Sequence, residues 1–377
     1  MLIWMGAVSA LLSMAPQAGA PSLADAYYFF IQGRTLEGQG DVSGALAAYK
    51  RAAELEPHSS TIHAEMAGLY ARAGKATESI NEAEAALAID PADREAHRIL
   101  GLVRSALADG QPPGPRQQQA MRDAVTHLEQ ALGGARDPGA ELTLGRLDVR
   151  LGRLEEAIPV LRNFLLDNPG YPEGVMLLAE AYERTGDFAS TTGVLEPVFD
   201  ALRRAPRESL DKGDEDFLGY AGMSLANAYQ ALGQTGRTEE VLRALIDRNP
   251  KNDVALNALG YMLADRNLKL PEAQTLIERA LAVEPQSPSY LDSLGWVLLK
   301  QGRAADAIAS LERATALAES SSLLQDHLAT AYFAEKRYKD AADAWTRALA
   351  GDREGVDLAA VTQKRDAAKA LIKSPPV

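Results

Sequence analysis

The stretch "SLGWVLLKQGRAADA", Ser293 to Ala307, decides the fold. Leu294, Gly295 and Leu298 are spaced to share one side of a helix, Gly302 interrupts it, and a second helical pattern starts before Ala307. The odd member is Trp296, one of three tryptophans in the chain. At ~100° per residue it projects about 150° from the centre of the Leu294–Leu298 stripe. It therefore faces either a neighbouring element or a partner, and recurrence of these fifteen residues would decide between them.

They recur. Segments such as "GDVSGALAAYKRAAELEP", "GKATESINEAEAALAIDP", "GRLEEAIPVLRNFLLDNP" and "LKLPEAQTLIERALAVEP" align with "GRAADAIASLERATALAE" and "KRYKDAADAWTRALAGDR". Their anchor positions lie 34 apart: Ala45 and Ser79, Ala157 and Thr191, then Ala273, Ala307 and Ala341. Upstream of each lies another apolar helical stretch, as in "AEMAGLYARAG", "ELTLGRLDVRLG" and "NALGYMLAD". Gly40, Gly74, Gly152, Gly186, Gly233 and Gly302 mark the tight turns between the two stretches. Small residues such as Gly295 and Ala307 let the paired helices approach, and the closing Pro57, Pro91, Pro169, Pro250 and Pro285 stop the second helix.

A 34-residue helical pair of this kind resembles the tetratricopeptide repeat. The resemblance implies an all-α fold, an α-α superhelical solenoid of about nine repeats with a C-terminal capping helix. Units one to five run over 26–205 and units six to nine over 219–355, with 206–218 as linker and 356–372 as cap. The cap would carry Leu358, Val361, Ala368 and Ile372 on one side, covering the last repeat. Unit three contains the insertion "DGQPPGPRQQQ", Asp109–Gln119, expected as a loop because Pro and Gly disfavour continuous helix.

Composition narrows the function. With 46% hydrophobic and 24% charged residues the chain is globular rather than disordered. A formal charge of -13 repels phosphate backbones, so nucleic acid is not an expected partner. There is no Cys, which removes disulfides, thiolate metal sites, Cys nucleophiles and a lipidated N-terminal Cys. "LIWMGAVSALLSMA" (2–15) is uncharged and apolar, and Ala18-Gly19-Ala20 fits a signal-peptidase site, so residues 1–20 read as a signal peptide. The run is shorter than the ~20 residues of a membrane-spanning helix, so a membrane contact would need an uncleaved N-terminus. No Lys or Arg precedes the run, the first basic residue being Arg34.

Three patterns approach a chemistry and fall short. "GMSLA" (222–226) lacks the final Gly of a nucleophile elbow and lies within a helix. "DKGDED" (211–216) opens like a calcium loop, but Leu218 and Leu225 stand where oxygen ligands are required, so a solvated linker is expected. His58, His63, His97, His127 and His327 include no pair at helical spacing, and His63 and His97 sit on the core stripe, so packing histidines are expected rather than a metal site. No Gly-rich phosphate loop occurs. The expectation is a non-enzyme without cofactor or small-molecule substrate.

In the resembled family, the face opposite the core stripe of each first helix lines a concave groove that takes peptides or partner helices. Counting from each unit's start, positions 2, 5, 9, 12 and 13 fall there. In units six to nine these include Tyr220, Met223, Asn227, Asn257, Tyr261, Asp292, Trp296, Leu299, Lys300, Asp326 and Phe333. Tyr220, Asn227, Asn257, Tyr261, Trp296 and Phe333 are the candidate partner contacts, because rings give apolar contact and Asn amides bond backbone. The competing reading is that some of these rings pack on neighbouring first helices. The carboxylate clamp of chaperone-tail co-chaperones is not matched: Phe30, Arg34, Glu65, Glu95 and Ile99 in units one to three, and Asn257, Tyr261, Ser293, Leu323 and His327 in units seven to nine, are the wrong set. The run "NALGYMLAD…YLDSLGWVLLKQGR" is similar to bacterial cell-envelope tetratricopeptide proteins. That similarity implies a periplasmic or secreted scaffold or adaptor; the alternative is a cytosolic assembly or regulatory module with its N-terminus retained.

Overall fold

The structure is a computed structural model that describes residues 22–373; the expected signal peptide lies outside them. The described residues form nineteen α-helices, one 3-10 turn and no strand. Nine helix pairs are followed by one unpaired helix. The pairs are α1 (Leu23–Gly38) with α2 (Val42–Leu55), α3 (Ser60–Arg72) with α4 (Ala76–Ile89), and α5 (Arg94–Asp109) with α6 (Pro115–Leu132). Then come α7 (Pro138–Leu151) with α8 (Leu154–Asp167), α9 (Pro172–Thr185) with α10 (Phe188–Arg204), and α11 (Lys212–Ala231) with α12 (Thr235–Arg248). The last are α13 (Asp253–Asp265) with α14 (Leu270–Val283), α15 (Pro288–Lys300) with α16 (Ala304–Leu317), and α17 (Ser322–Ala334) with α18 (Tyr338–Ala350). Helix α19 (Leu358–Lys373) is the cap.

Local chemistry starts and stops each helix. Asp41, Asp93, Asp137, Asn252, Ser287 and Ser321 each accept a hydrogen bond from a first-turn amide, satisfying a donor the helix leaves open. The turn inside the pair needs a left-handed residue: Gly40, Gly74, Gly152, Gly186, Gly233 and Gly302 have φ between 70° and 80°. In repeats seven and nine the same place holds Asn267 (φ 54°) and Lys336 (φ 61°), so the turn geometry persists after the glycine is lost.

The chain divides into two compact units, residues 1–194 and 195–377, with the division inside α10. In unit 1, one core cluster joins Ala45, Tyr49 and Ala52 of α2 to Ile62, Met66 and Leu69 of α3. In unit 2, Leu298, Leu311, Leu328, Tyr332 and Trp345 continue into Val361 and Ala368 of the cap. The close approach expected at Gly295 is present: a Cβ there would overlap the Leu311 side chain. Gly145 meets Leu161 in the same way in unit 1.

Three expectations are corrected. Residues 212–218 of the expected linker are the first turns of α11, started by a reciprocal cap in which Asp211 accepts from the Asp214 amide and Asp214 accepts from the Asp211 amide. The acidic run "DKGDED" is thus a helix N-terminus. The insertion loop is shorter than expected, because Asp109 ends α5 and Pro115 begins α6, where its missing N–H costs nothing. In the cap, Val361 and Ala368 are buried but Leu358 and Ile372 are largely exposed, so the apolar side is narrower than the sequence pattern.

Candidate partner-binding surface

Unit 2 carries all six candidate contacts on its first helices. Consecutive first helices α13, α15 and α17 pack directly on one another, and Asp292 and Trp296 at positions 5 and 9 of α15 both reach His327 of α17. Trp296 is partly buried on α15. Its indole stacks on the His327 ring of α17, with centroids 4.4 Å apart and planes at 21°. The Lys300 ammonium, one turn on, sits 4.7 Å from the indole centroid. Beneath the stack, His327 Nδ1 donates to Asp292 at 2.8 and 2.9 Å, and both side chains are 7% exposed.

Asp292 therefore corrects the sequence assignment: position 5 of repeat eight is buried between helices rather than open to a partner. Trp296 shows the competing arrangement in part, because one face of its ring is covered by the next first helix. Its Nε1, however, is shielded from solvent and has no hydrogen-bond partner. Asn257 Oδ1 on α13 is in the same condition. On α13 too, Tyr261 is half-buried, and burial, then the Asp265 and Asp292 carboxylates, raise its phenol pKa. These three candidates lie on two adjacent helices.

The other three are placed differently. Phe333 packs on the core of its own repeat, edge-on to Tyr338 at 5.3 Å and tilted to Trp345 at 5.7 Å. Tyr220 is half-buried and Asn227 exposed, both on α11. Asp326 at position 5 of α17 accepts from Trp345 Nε1 at 2.6 Å and from Lys364 Nζ of the cap at 2.9 Å.

Unit 1 holds an apolar surface apart from these six residues. An apolar cavity of about 590 Å³ is lined by Leu23, Ala26, Tyr27, Phe30 and Ile62, among others. Tyr27 and Phe30 are positions 2 and 5 of repeat one, and Tyr27 is 57% exposed. The position rule would have found them had it been applied to the first repeat as well as the last four. Among the described residues no three His, Asp or Glu groups are arranged to hold a metal, and no helix is long and apolar enough to cross a membrane.

Family models described as tetratricopeptide repeat match residues 36–103, 142–190 and 263–322. The chain carries tetratricopeptide repeats. It is 36% identical over 168 residues to a TPR repeat-containing protein of Pseudomonas aeruginosa, covering 44% of this chain and 26% of that one. It is 33% identical over 90 residues to a BBSome complex member of Caenorhabditis elegans, covering 24% and 20%. The match thus spans about a quarter or less of the length of these relatives. Among solved structures, the APC/C hetero-tetramer Cut9-Hcn1 aligns over 97% of this chain and 80% of its own, at 12% identity and a TM-score of 0.48. A tetratricopeptide repeat protein from Parabacteroides merdae aligns over 82% and 98%, at 14% identity and a TM-score of 0.35. Tetratricopeptide-repeat proteins generally act as non-catalytic scaffolds for protein interactions.

Proposed function

We propose that this chain is a scaffold or adaptor that binds a protein or peptide on the first-helix face of unit 2, around Asn257, Tyr261 and Trp296. One observation carries the reading: Asn257 Oδ1 and Trp296 Nε1, an acceptor and a donor on adjacent helices, both lack partners. A shielded polar group left unpaired costs about 1–3 kcal/mol, and native proteins rarely leave one without a purpose. A peptide backbone offers the two complements, an N–H for Asn257 and a C=O for Trp296. The apolar Leu2–Ala15 run and the Ala18-Gly19-Ala20 site support export to the bacterial envelope as the setting. The lack of a basic residue before that run favours a second reading, a cytosolic module.

In-cell photo-crosslinking from positions 261 and 296 tests the surface against exposed Ala309 on α16. The same protein should be captured from 261 and 296 and not from 309, and Asn257→Ala should reduce its capture from 261. Equal capture from 309, or none from the two test positions, defeats the reading. Mass spectrometry of the mature N-terminus tests the setting: a start near Pro21 supports export, and an intact Met1 overturns it.

A further inference from the structure

Repeat three holds two imidazoles that face each other across its helix pair. His97 on α5 and His127 on α6 bring their Nδ1 atoms to 2.9 Å, with ring centroids 5.2 Å apart. His97 is 9% exposed and His127 is half-buried. His97 Nε2 lies 3.1 Å from the Pro91 carbonyl, which can only accept, so this nitrogen carries the ring proton. His97 Nδ1 is then a lone pair, and the short contact is closed by a proton on His127 Nδ1. Burial, then the Arg104 charge, then His97 lower the proton affinity of His127, against opposing effects of Asp123 and Glu84.

We propose that this pair is a two-imidazole chelate for a borderline transition-metal ion such as Zn²⁺. At Zn–N distances of ~2.0–2.1 Å, two nitrogens of a tetrahedral site lie about 3.3–3.4 Å apart, so the rings need only part slightly. The bond from His97 Nε2–H to a backbone carbonyl is the outer contact that fixes a ligating histidine's tautomer and orientation. On binding, the His127 proton moves from Nδ1 to Nε2, exchanging through solvent. Both Nδ1 lone pairs then face the ion, and no net proton is lost from the neutral pair. Water fills the positions that the protein leaves open, since no third His, Asp or Glu completes a cage among the described residues.

Isothermal titration of Zn²⁺ into the full chain should show one saturable site per molecule. His97→Gln and His127→Gln should each weaken it at least ~tenfold, about 1.4 kcal/mol. His63→Gln, which removes a histidine bonded instead to Glu82, should not. Because either substitution could loosen repeat three, helical circular dichroism is recorded for each. Thermal unfolding gives a second readout: Zn²⁺ should raise the midpoint of the wild-type chain and leave that of His127→Gln unmoved. Wild-type affinity in both variants, or no binding by the wild-type chain, overturns the proposal.

Discussion

Trp296 shows how far one side chain can be read from a helical projection. The projection turns the ring away from the core stripe but does not give its depth: the ring stacks on His327 from the next repeat. Asp292, on the same face by angle, is buried beside a hydrogen-bond partner 35 residues away, which no local pattern records. A second buried carboxylate makes a sharper test. Asp148 on α7 is 1% exposed, and its Oδ1 lies 3.3 Å from Arg153 without forming a hydrogen bond, because Arg153 is drawn to Glu129 at 2.7 Å. Burial pushes the Asp148 carboxyl from 3.8 to about 7. The folded state therefore holds this proton where the unfolded chain has lost it. Its stability contribution is full below pH ~4 and declines by up to ~1.4 kcal/mol per pH unit until pH ~7. Asp148→Asn should remove this slope, so its advantage over the wild-type chain should widen from pH 4 to pH 7 and then level off. Denaturant midpoints at four pH values check this; a constant difference would contradict it.

At the scale of the helix pair, two features recur with the period and predict opposite changes. Gly295 lies against Leu311, which is fully buried, so Gly295→Ala forces a shift of a packed side chain. A loss of ~1–3 kcal/mol is expected. Adding Leu311→Ala should cost less in that background than alone, because the two changes share one space. Lys336 holds the left-handed turn of repeat nine at φ 61° with a Cβ that opposes it. Lys336→Gly should stabilise by about 0.5–1 kcal/mol, net of the added freedom of the unfolded chain, and a lowered thermal midpoint would refute the strain argument. These features explain why the pairs were legible: a 34-residue period repeats the turn, the small residue and the stop, so errors at one repeat are corrected by the others. The start of α11 was not legible, because a linker and a helix N-terminus use the same residues; Asp211 and Asp214 turned out to cap each other. The His97–His127 contact escaped because the two residues lie 30 apart on different helices, and helical spacing tests only one helix at a time.

At the scale of the chain, each unit's core is a series of clusters between neighbouring repeats, and the end of the series needs covering. Helix α19 does this in unit 2, burying Val361 and Ala368 beside Trp345. Ending the chain at Gly355 should destabilise unit 2 by at least ~2 kcal/mol, about the value of one buried aliphatic side chain. It should also raise the binding of an apolar fluorescent dye. An unchanged urea midpoint would show that the cap is dispensable. The cap has another effect, on the face rather than on the core. Position 5 is Asn257 in repeat seven, with an unpaired oxygen; Asp292 in repeat eight, bonded to His327; and Asp326 in repeat nine, bonded to Trp345 and Lys364. The row keeps one unpaired oxygen in repeat seven and is satisfied by the protein's own donors in repeats eight and nine. Under the proposed function, a bound segment would take its register from repeat seven, so sliding it by one repeat would lose that contact even with its composition unchanged.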